Sequence, residues 1–172
     1  MPPLPHSDLT SLRLNCSVIT VSDTRTSATD KSGQIIQQLL SDAAHSIQHY
    51  TILKDEPIEI TQTVVNLSQR SDIDVIILNG GTGIAPRDTT YESIVKLLEK
   101  TLPGFGELFR VLSYQEIGSR AIASRAIAGI FKDKLIFSLP GSSKGVHLAM
   151  TALILPELSH LMSQLHSSTS ST

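Results

Sequence analysis

The sequence predicts an α/β fold in three layers: a mostly parallel sheet with helices on both faces and a late antiparallel hairpin. Three observations carry that prediction. β-Branched apolar runs alternate with segments whose apolar residues recur at helical spacing. Residues 74–78 form a nearly continuous apolar run, as a strand covered on both faces requires. Lys132-Asp133-Lys134 separates two further apolar runs, which is a hairpin signal.

The elements follow in order. Residues 13–21 are rich in β-branched side chains and stop at Ser22-Asp23, which predicts the first strand. Asp30 or Ser32 caps a helix bearing Ile35, Ile36, Leu39 and Leu40 on one face. Residues 47–53 predict a second strand, ending at Lys54-Asp55. Pro57 suits the first turn of a helix that buries Ile60, Val64 and Leu67. Residues 74–78 run straight into Asn79-Gly80-Gly81-Thr82-Gly83. Thr89 and Glu92 have the spacing of a capping box for a helix with Ile94, Val95, Leu97 and Leu98. Pro103-Gly104 breaks the chain before a helix lined by Phe105, Leu108, Phe109 and Leu112. After the hairpin strands, 126–131 and 135–139, Pro140-Gly141-Ser142-Ser143 leads into a last helix from Lys144. Pro156 is expected to kink or interrupt it. Residues 1–10 read as a flexible arm, 11–166 as a single domain, and 167–172 as a disordered tail with nothing to bury.

Composition excludes several classes. The 172 residues are 40% hydrophobic and 17% charged, with a formal net charge of -2, which suits one folded core. No basic excess supports a sequence-independent nucleic-acid binder. No apolar run approaches the roughly 18 residues of a membrane span, and residues 1–8 hold three prolines rather than a signal peptide's apolar core. One cysteine, Cys16, sits in an apolar run and reads as a buried hydrophobe. No intrachain disulfide is possible, which fits a reducing compartment, and the expected address is the cytoplasm.

In an open parallel sheet, ligands bind beyond the carboxyl ends of the strands. Ser22-Asp23, Asp55, the loop 80–88 and the loop 140–144 converge there. Glycines let the backbone approach a ligand and aim amides at anions. Glycines alone would read as a tight turn, but Gly80, Gly81, Thr82 and Gly83, followed by Arg87-Asp88 at a strand end, favour function. Ser142 and Ser143 precede a helix whose amides and dipole favour phosphate, with the charge of Lys144 added; a simple helix cap fits them equally. Asp55 and Asp88 taken singly fit helix caps, and as a pair they could hold Mg²⁺ beside substrate phosphates. No P-loop is present, and Gly81-Thr82-Gly83 fails the dinucleotide fingerprint at its last position. The six histidines lack metal-ligand spacing. Gly141-Ser142-Ser143-Lys144-Gly145 matches a hydrolase nucleophile elbow, but only 27 residues follow to supply an acid and a histidine, so an esterase centred on Ser143 is disfavoured.

Val21-Ser22-Asp23, Gly80-Gly81-Thr82-Gly83, Pro86-Arg87-Asp88-Thr89-Thr90, Gly104-Phe105-Gly106-Glu107, Ser124-Arg125-Ala126 and Leu139-Pro140-Gly141-Ser142 stand in this order. Together they resemble the MogA/MoaB molybdenum-cofactor biosynthesis family over roughly residues 12–165, closest in wording to the MoaB branch. The resemblance implies the three-layer fold, a trimer or hexamer, and molybdopterin as ligand. It implies that molybdopterin attacks the α-phosphate of Mg-ATP, giving adenylylated molybdopterin and pyrophosphate. Asp55 and Asp88 carry over as the catalytic and Mg²⁺-holding aspartates. Ser22, Asp23, Gly80, Gly81, Thr82, Gly83, Glu107, Pro140, Gly141, Ser142, Ser143 and Lys144 carry over as substrate-binding positions. A non-catalytic molybdopterin carrier is the alternative, because some MoaB-branch proteins bind without evident adenylyl transfer. Tyr91 departs from the proline that many relatives carry there. Phe105, Phe109 and Leu112 suggest core packing, with part of the stripe available to another subunit. Docking of a molybdate-inserting protein is left open.

Overall fold

The computed structural model describes residues 12–167. The expected arm and residues 168–172 of the expected tail lie outside the described residues. The chain runs β1 (Asn15–Val21), α1 (Lys31–Asp42), β2 (Ser46–Leu53), α2 (Pro57–Ser68), β3 (Val75–Asn79), α3 (Thr90–Leu97), β4 (Lys100–Thr101), α4 (Pro103–Ile117), β5 (Ile127–Phe131), β6 (Lys134–Leu139), α5 (Ser143–Ala149) and α6 (Leu155–Ser167). A 3-10 turn, Gly118–Ala123, follows α4, and a π-helical turn, Met150–Ile154, joins α5 to α6.

One six-stranded sheet has the order β2-β1-β3-β6-β5-β4. β2, β1, β3 and β6 are parallel, while β5 pairs antiparallel with both β6 and β4. Lys132 and Asp133 both take positive φ, 46° and 60°, the backbone that a tight hairpin turn demands. The two-residue edge strand β4 has no signature in the sequence, since two exposed residues carry no period.

Alternation in the pleat sorts side chains onto two cores. Val75 and Ile77 of β3 join Cys16, Val18, Leu135 and Phe137 on the face covered by α1, α4, α5 and α6. Ile76 and Leu78 join Ile19, Val21 and Ile136 on the face covered by α2 and α3. All five residues of β3 are buried, and each large aliphatic among them contributes about 1.5–3 kcal/mol of transfer free energy.

One local expectation is corrected. The capping box does not form: the Thr89 hydroxyl donates to Asp55 Oδ1 at 2.6 Å instead of accepting from its own helix, and Glu92 pairs with Arg125. A charged acceptor outcompetes a neutral hydroxyl cap. On α4 the Phe105 and Phe109 part of the expected stripe packs on the core. Phe109 is buried and Phe105 meets Phe137 edge-on at 5.3 Å, whereas Leu108 lies exposed. Pro103 opens α4 at its first position, where its missing N–H costs no helical bond.

Residues 143–167 form one helical run, long and apolar enough (mean hydropathy 1.2) to cross a membrane by length and composition. Its inner face is instead part of the core: Val146, Met150, Ile154, Leu158 and Met162 are fully buried. The interruption expected near Pro156 is the π-turn just before it, where the Leu155 amide reaches back to the Met150 carbonyl.

Candidate functional site

β1 leads to β2 on one side and β2 crosses to β3 on the other, so the strand order switches between β1 and β3. A cavity of about 490 Å³ opens at the carboxyl ends of β1, β3 and β6. Ser22, Thr24 and Arg25 line it from β1, Gly80, Gly81, Thr82, Gly83 and Asp88 from β3, and Pro140 and Gly141 from β6. Arg120, Ala123 and Ser124 of the 3-10 turn region close it.

The glycines are dictated by closeness. Gly80 has φ +97°, its amide donates to the Leu139 carbonyl at 3.0 Å, and a Cβ there would lie 2.2 Å from the Val21 carbonyl oxygen. A Cβ on Gly141 would sit 3.2 Å from the Gly80 Cα. Gly81 has φ +66°, and its missing side chain leaves room for Asp55 and Thr90 beneath. Among the described residues, the amides of Gly81, Thr82 and Gly83 meet no protein acceptor. Three unpaired amides on a cavity wall form an anion-binding concavity.

Positive charge surrounds it. Arg25 donates to the Gly141 carbonyl at 2.9 Å, to the Ser32 hydroxyl, and pairs with Asp30 at 3.6 Å. It thereby ties the loop after β1 to the loop after β6. Asp30 is fully buried and caps α1 by accepting from the Gly33 amide. Burial alone would raise its pKa. The Thr20 and Tyr50 hydroxyls at 2.6 and 2.7 Å, the Gly33 amide and Arg25 together hold it below the usual carboxylate range. Asn79 joins the same network, donating to Thr20 and accepting from Ser32. Arg25 and Arg120 escaped the sequence reading, and Arg125 entered it only within a motif, without a role. The signal for Arg25 was its place just past the first strand end, and for Arg125 the Ser124-Arg125-Ala126 motif.

The two aspartates differ. Asp55 is buried, and its Oδ1 accepts from the Thr89 amide and the Thr89 and Thr90 hydroxyls, so it caps α3 from the end of β2. Its Oδ2 faces Gly81. Asp88 lines the cavity; Oδ2 accepts from the Ala85 amide at 3.2 Å, and among the described residues no protein donor reaches Oδ1. Asp88 also lines a neighbouring groove of about 810 Å³ between α2 and α3, with Pro57, Ile58, Pro86 and Leu97 on its walls. No group of three or more metal-ligating side chains occurs among the described residues. Mg²⁺ needs only one or two protein carboxylates when substrate phosphates complete its shell; Asp88 lines the cavity, whereas the expected Asp55 is buried and lines neither the cavity nor the groove.

The remaining expected positions are placed elsewhere or in support. Asp23 lies outside the cavity lining and binds Arg87 at 2.8 Å. Ser142 caps α5 by accepting from the Gly145 amide. Ser143 and Lys144 line a different groove with Glu116 and His147. No hydrogen bond joins Ser143 to His147 there, so the elbow match is not matched by a nucleophile–base pair. Glu107 lines a separate cleft with Tyr91 and Arg110.

Comparison with known proteins gives a consistent result. A family model described as "Probable molybdopterin binding domain" matches residues 17–160. The chain is 49% identical over 162 residues to molybdenum cofactor biosynthesis protein B of Bacillus anthracis, covering 94% of this chain and 96% of that protein. A crystal structure of a molybdenum cofactor biosynthesis protein B superposes with a TM-score of 0.89 at 50% identity, covering 92% and 99% of the two chains. The tungsten cofactor synthesizing protein MoaB from Pyrococcus furiosus superposes with a TM-score of 0.81 at 37% identity, covering 89% and 97%.

Proposed function

The chain belongs to the molybdopterin-binding family of molybdenum-cofactor biosynthesis, and from that premise we propose that it binds molybdopterin in the cavity at the ends of β1, β3 and β6 and adenylylates it with ATP. One observation carries this reading: Gly81, Thr82 and Gly83, whose amides are unpaired among the described residues, line a cavity flanked by Arg25 and Arg120 with Asp88 on its rim.

The terminal phosphate of molybdopterin suits that concavity. Its attack on the α-phosphorus of ATP forms one P–O bond, breaks the bond to the bridging oxygen, and releases pyrophosphate. Such a reaction asks the protein for alignment and charge neutralisation rather than covalent work. The loop amides and arginines hold phosphate oxygens. Asp88 stands where the polar cavity meets the larger α2/α3 groove, which suits a second substrate. Mg²⁺ held by Asp88 would neutralise phosphate charge. The test is pyrophosphate release with molybdopterin, ATP and Mg²⁺ beside the Asp88→Ala variant. Release that vanishes in the variant supports the reading; equal release in both overturns the role of Asp88.

A second reading, a molybdopterin carrier without transfer, is favoured by the commitment of Asp55 Oδ1 to α3. Bound molybdopterin with no pyrophosphate release, and no heat of Mg-ATP binding in calorimetry, would select it. Either way the protein acts as a homo-oligomer, a trimer or hexamer, through the apolar side chains that α4 leaves in solvent. Its buried Cys16 thiol is pushed up to about 12 by burial and then by Asp74, which leaves it unreactive as a nucleophile.

A further inference from the structure

Arg125 is placed behind the anion-binding loop, not in it. Its Nε donates to the Thr82 carbonyl at 2.9 Å and one terminal nitrogen to the Gly83 carbonyl at 2.8 Å. The same guanidinium pairs with Glu92 on α3 and lies 4.7 Å from the centre of the Tyr91 ring. Four contacts thus use both edges and one face of a single planar group. In a trans peptide the N–H points opposite to the C=O. Holding the Thr82 and Gly83 carbonyls toward Arg125 therefore turns the amides of Gly83 and Ile84 away from it.

We propose that Arg125, braced by Glu92 and by the Tyr91 ring, is a positioning residue that fixes the direction of the Gly83 amide at the end of the amide row and so tunes the affinity of the site for a phosphate-bearing ligand. This rests on the molybdopterin reading only for the identity of that ligand. Lysine cannot substitute, because a point donor cannot take two carbonyls and a carboxylate in one plane. The ring of Tyr91 matters for its face, so phenylalanine can replace it.

The test combines a ligand-free readout with a binding readout. Backbone order parameters at 81–84 are followed by NMR relaxation without ligand, with β3 as internal reference, and molybdopterin affinity is measured by titration. Arg125→Gln and Arg125→Lys are expected to lower the loop order parameters from about 0.85 to below about 0.6 and leave β3 unchanged. They should also weaken molybdopterin roughly tenfold, as loss of charge-assisted bonds implies. Tyr91→Leu should give a smaller change of the same kind, Tyr91→Phe none. Tyr91→Leu added to Arg125→Gln should do nothing further, because both act through one contact. Unchanged loop order parameters in Arg125→Gln overturn the proposal. So does a looser loop with unaltered affinity, or Tyr91→Phe behaving like Tyr91→Leu. If Arg125→Gln does not fold, Tyr91→Leu carries the same comparison. If the wild-type protein binds no molybdopterin, the ligand reading fails and the clamp stands or falls on the loop order parameters alone.

Discussion

Asp23 accepts two parallel hydrogen bonds from Arg87, 2.8 Å from Nε and 2.9 Å from a terminal nitrogen. The pair spans 64 residues and ties the end of β1 to the loop that carries Asp88. Arg87 also reaches Glu56 at 2.9 Å, and the Asp55 amide donates to Asp23. Arg87, and then the Asp55 amide, hold the Asp23 carboxyl below its usual range. Both side chains are solvent-exposed, so a double-mutant cycle of Asp23→Ala and Arg87→Ala should give only a weak coupling. That coupling should shrink in high salt. A strong coupling that salt does not weaken would mean that an assembly buries the pair.

Gly80→Ala should cost about 3 kcal/mol in denaturant unfolding. The added carbon meets the Val21 carbonyl at 2.2 Å, and φ +97° is strained for any L side chain. Both neighbours are core strands and neither can yield. Wild-type stability in this variant would mean that the strand ends are looser than drawn.

Asp30 predicts an acid limb. Its folded pKa lies below the ordinary carboxylate value of 3.8, so its stabilisation is complete above that value and is lost as pH falls through the lower folded pKa. Unfolding free energy should therefore fall as pH drops below about 3.8. Asp30→Asn should flatten that limb and cost about 2 kcal/mol at neutral pH, through the weakened cap and the hydroxyls left without a charged acceptor. An identical acid limb in the variant would assign the loss to other carboxylates.

Leu108, Val111, Tyr114 and Ile117 of α4 lie 49–63% exposed, and Ile122 beside them 86%. Apolar side chains clustered this way mark an interface. Light scattering should give a multiple of the 18.6 kDa chain mass, and Val111→Glu with Tyr114→Glu should reduce it to one chain. A monomeric wild type would remove the oligomer from the functional reading.

Much of this architecture was readable from local pattern. The strands β1, β2, β3, β5 and β6 stand within two residues of where β-branched runs place them, because each run is bounded by turn chemistry. The cavity's glycines were readable for the same reason. What failed was competition between distant partners. Thr89 had the spacing of a cap, but whether its hydroxyl serves its own helix depends on Asp55, 34 residues away. Ser143 and Lys144 follow Gly141 closely, yet the turn of α5 sends them to another groove. Arg25, Arg120 and Arg125 reach the site through tertiary packing of irregular segments that carry no period.

The buried residues Val146, Met150, Ile154, Leu158 and Met162 recur every four positions. An α-helix turns about 100° per residue, so each such step overshoots by about 40° and four steps would wind the stripe nearly halfway round the rod. The π-turn at Met150–Ile154 absorbs about one residue of that drift. It works as a phase corrector between two amphipathic halves that are each in step with their own part of the sheet. Deleting one residue there should turn the π-turn into ordinary α-helix and leave Leu158 and Met162 facing the core, whereas inserting one more residue would rotate both off it by about 100°.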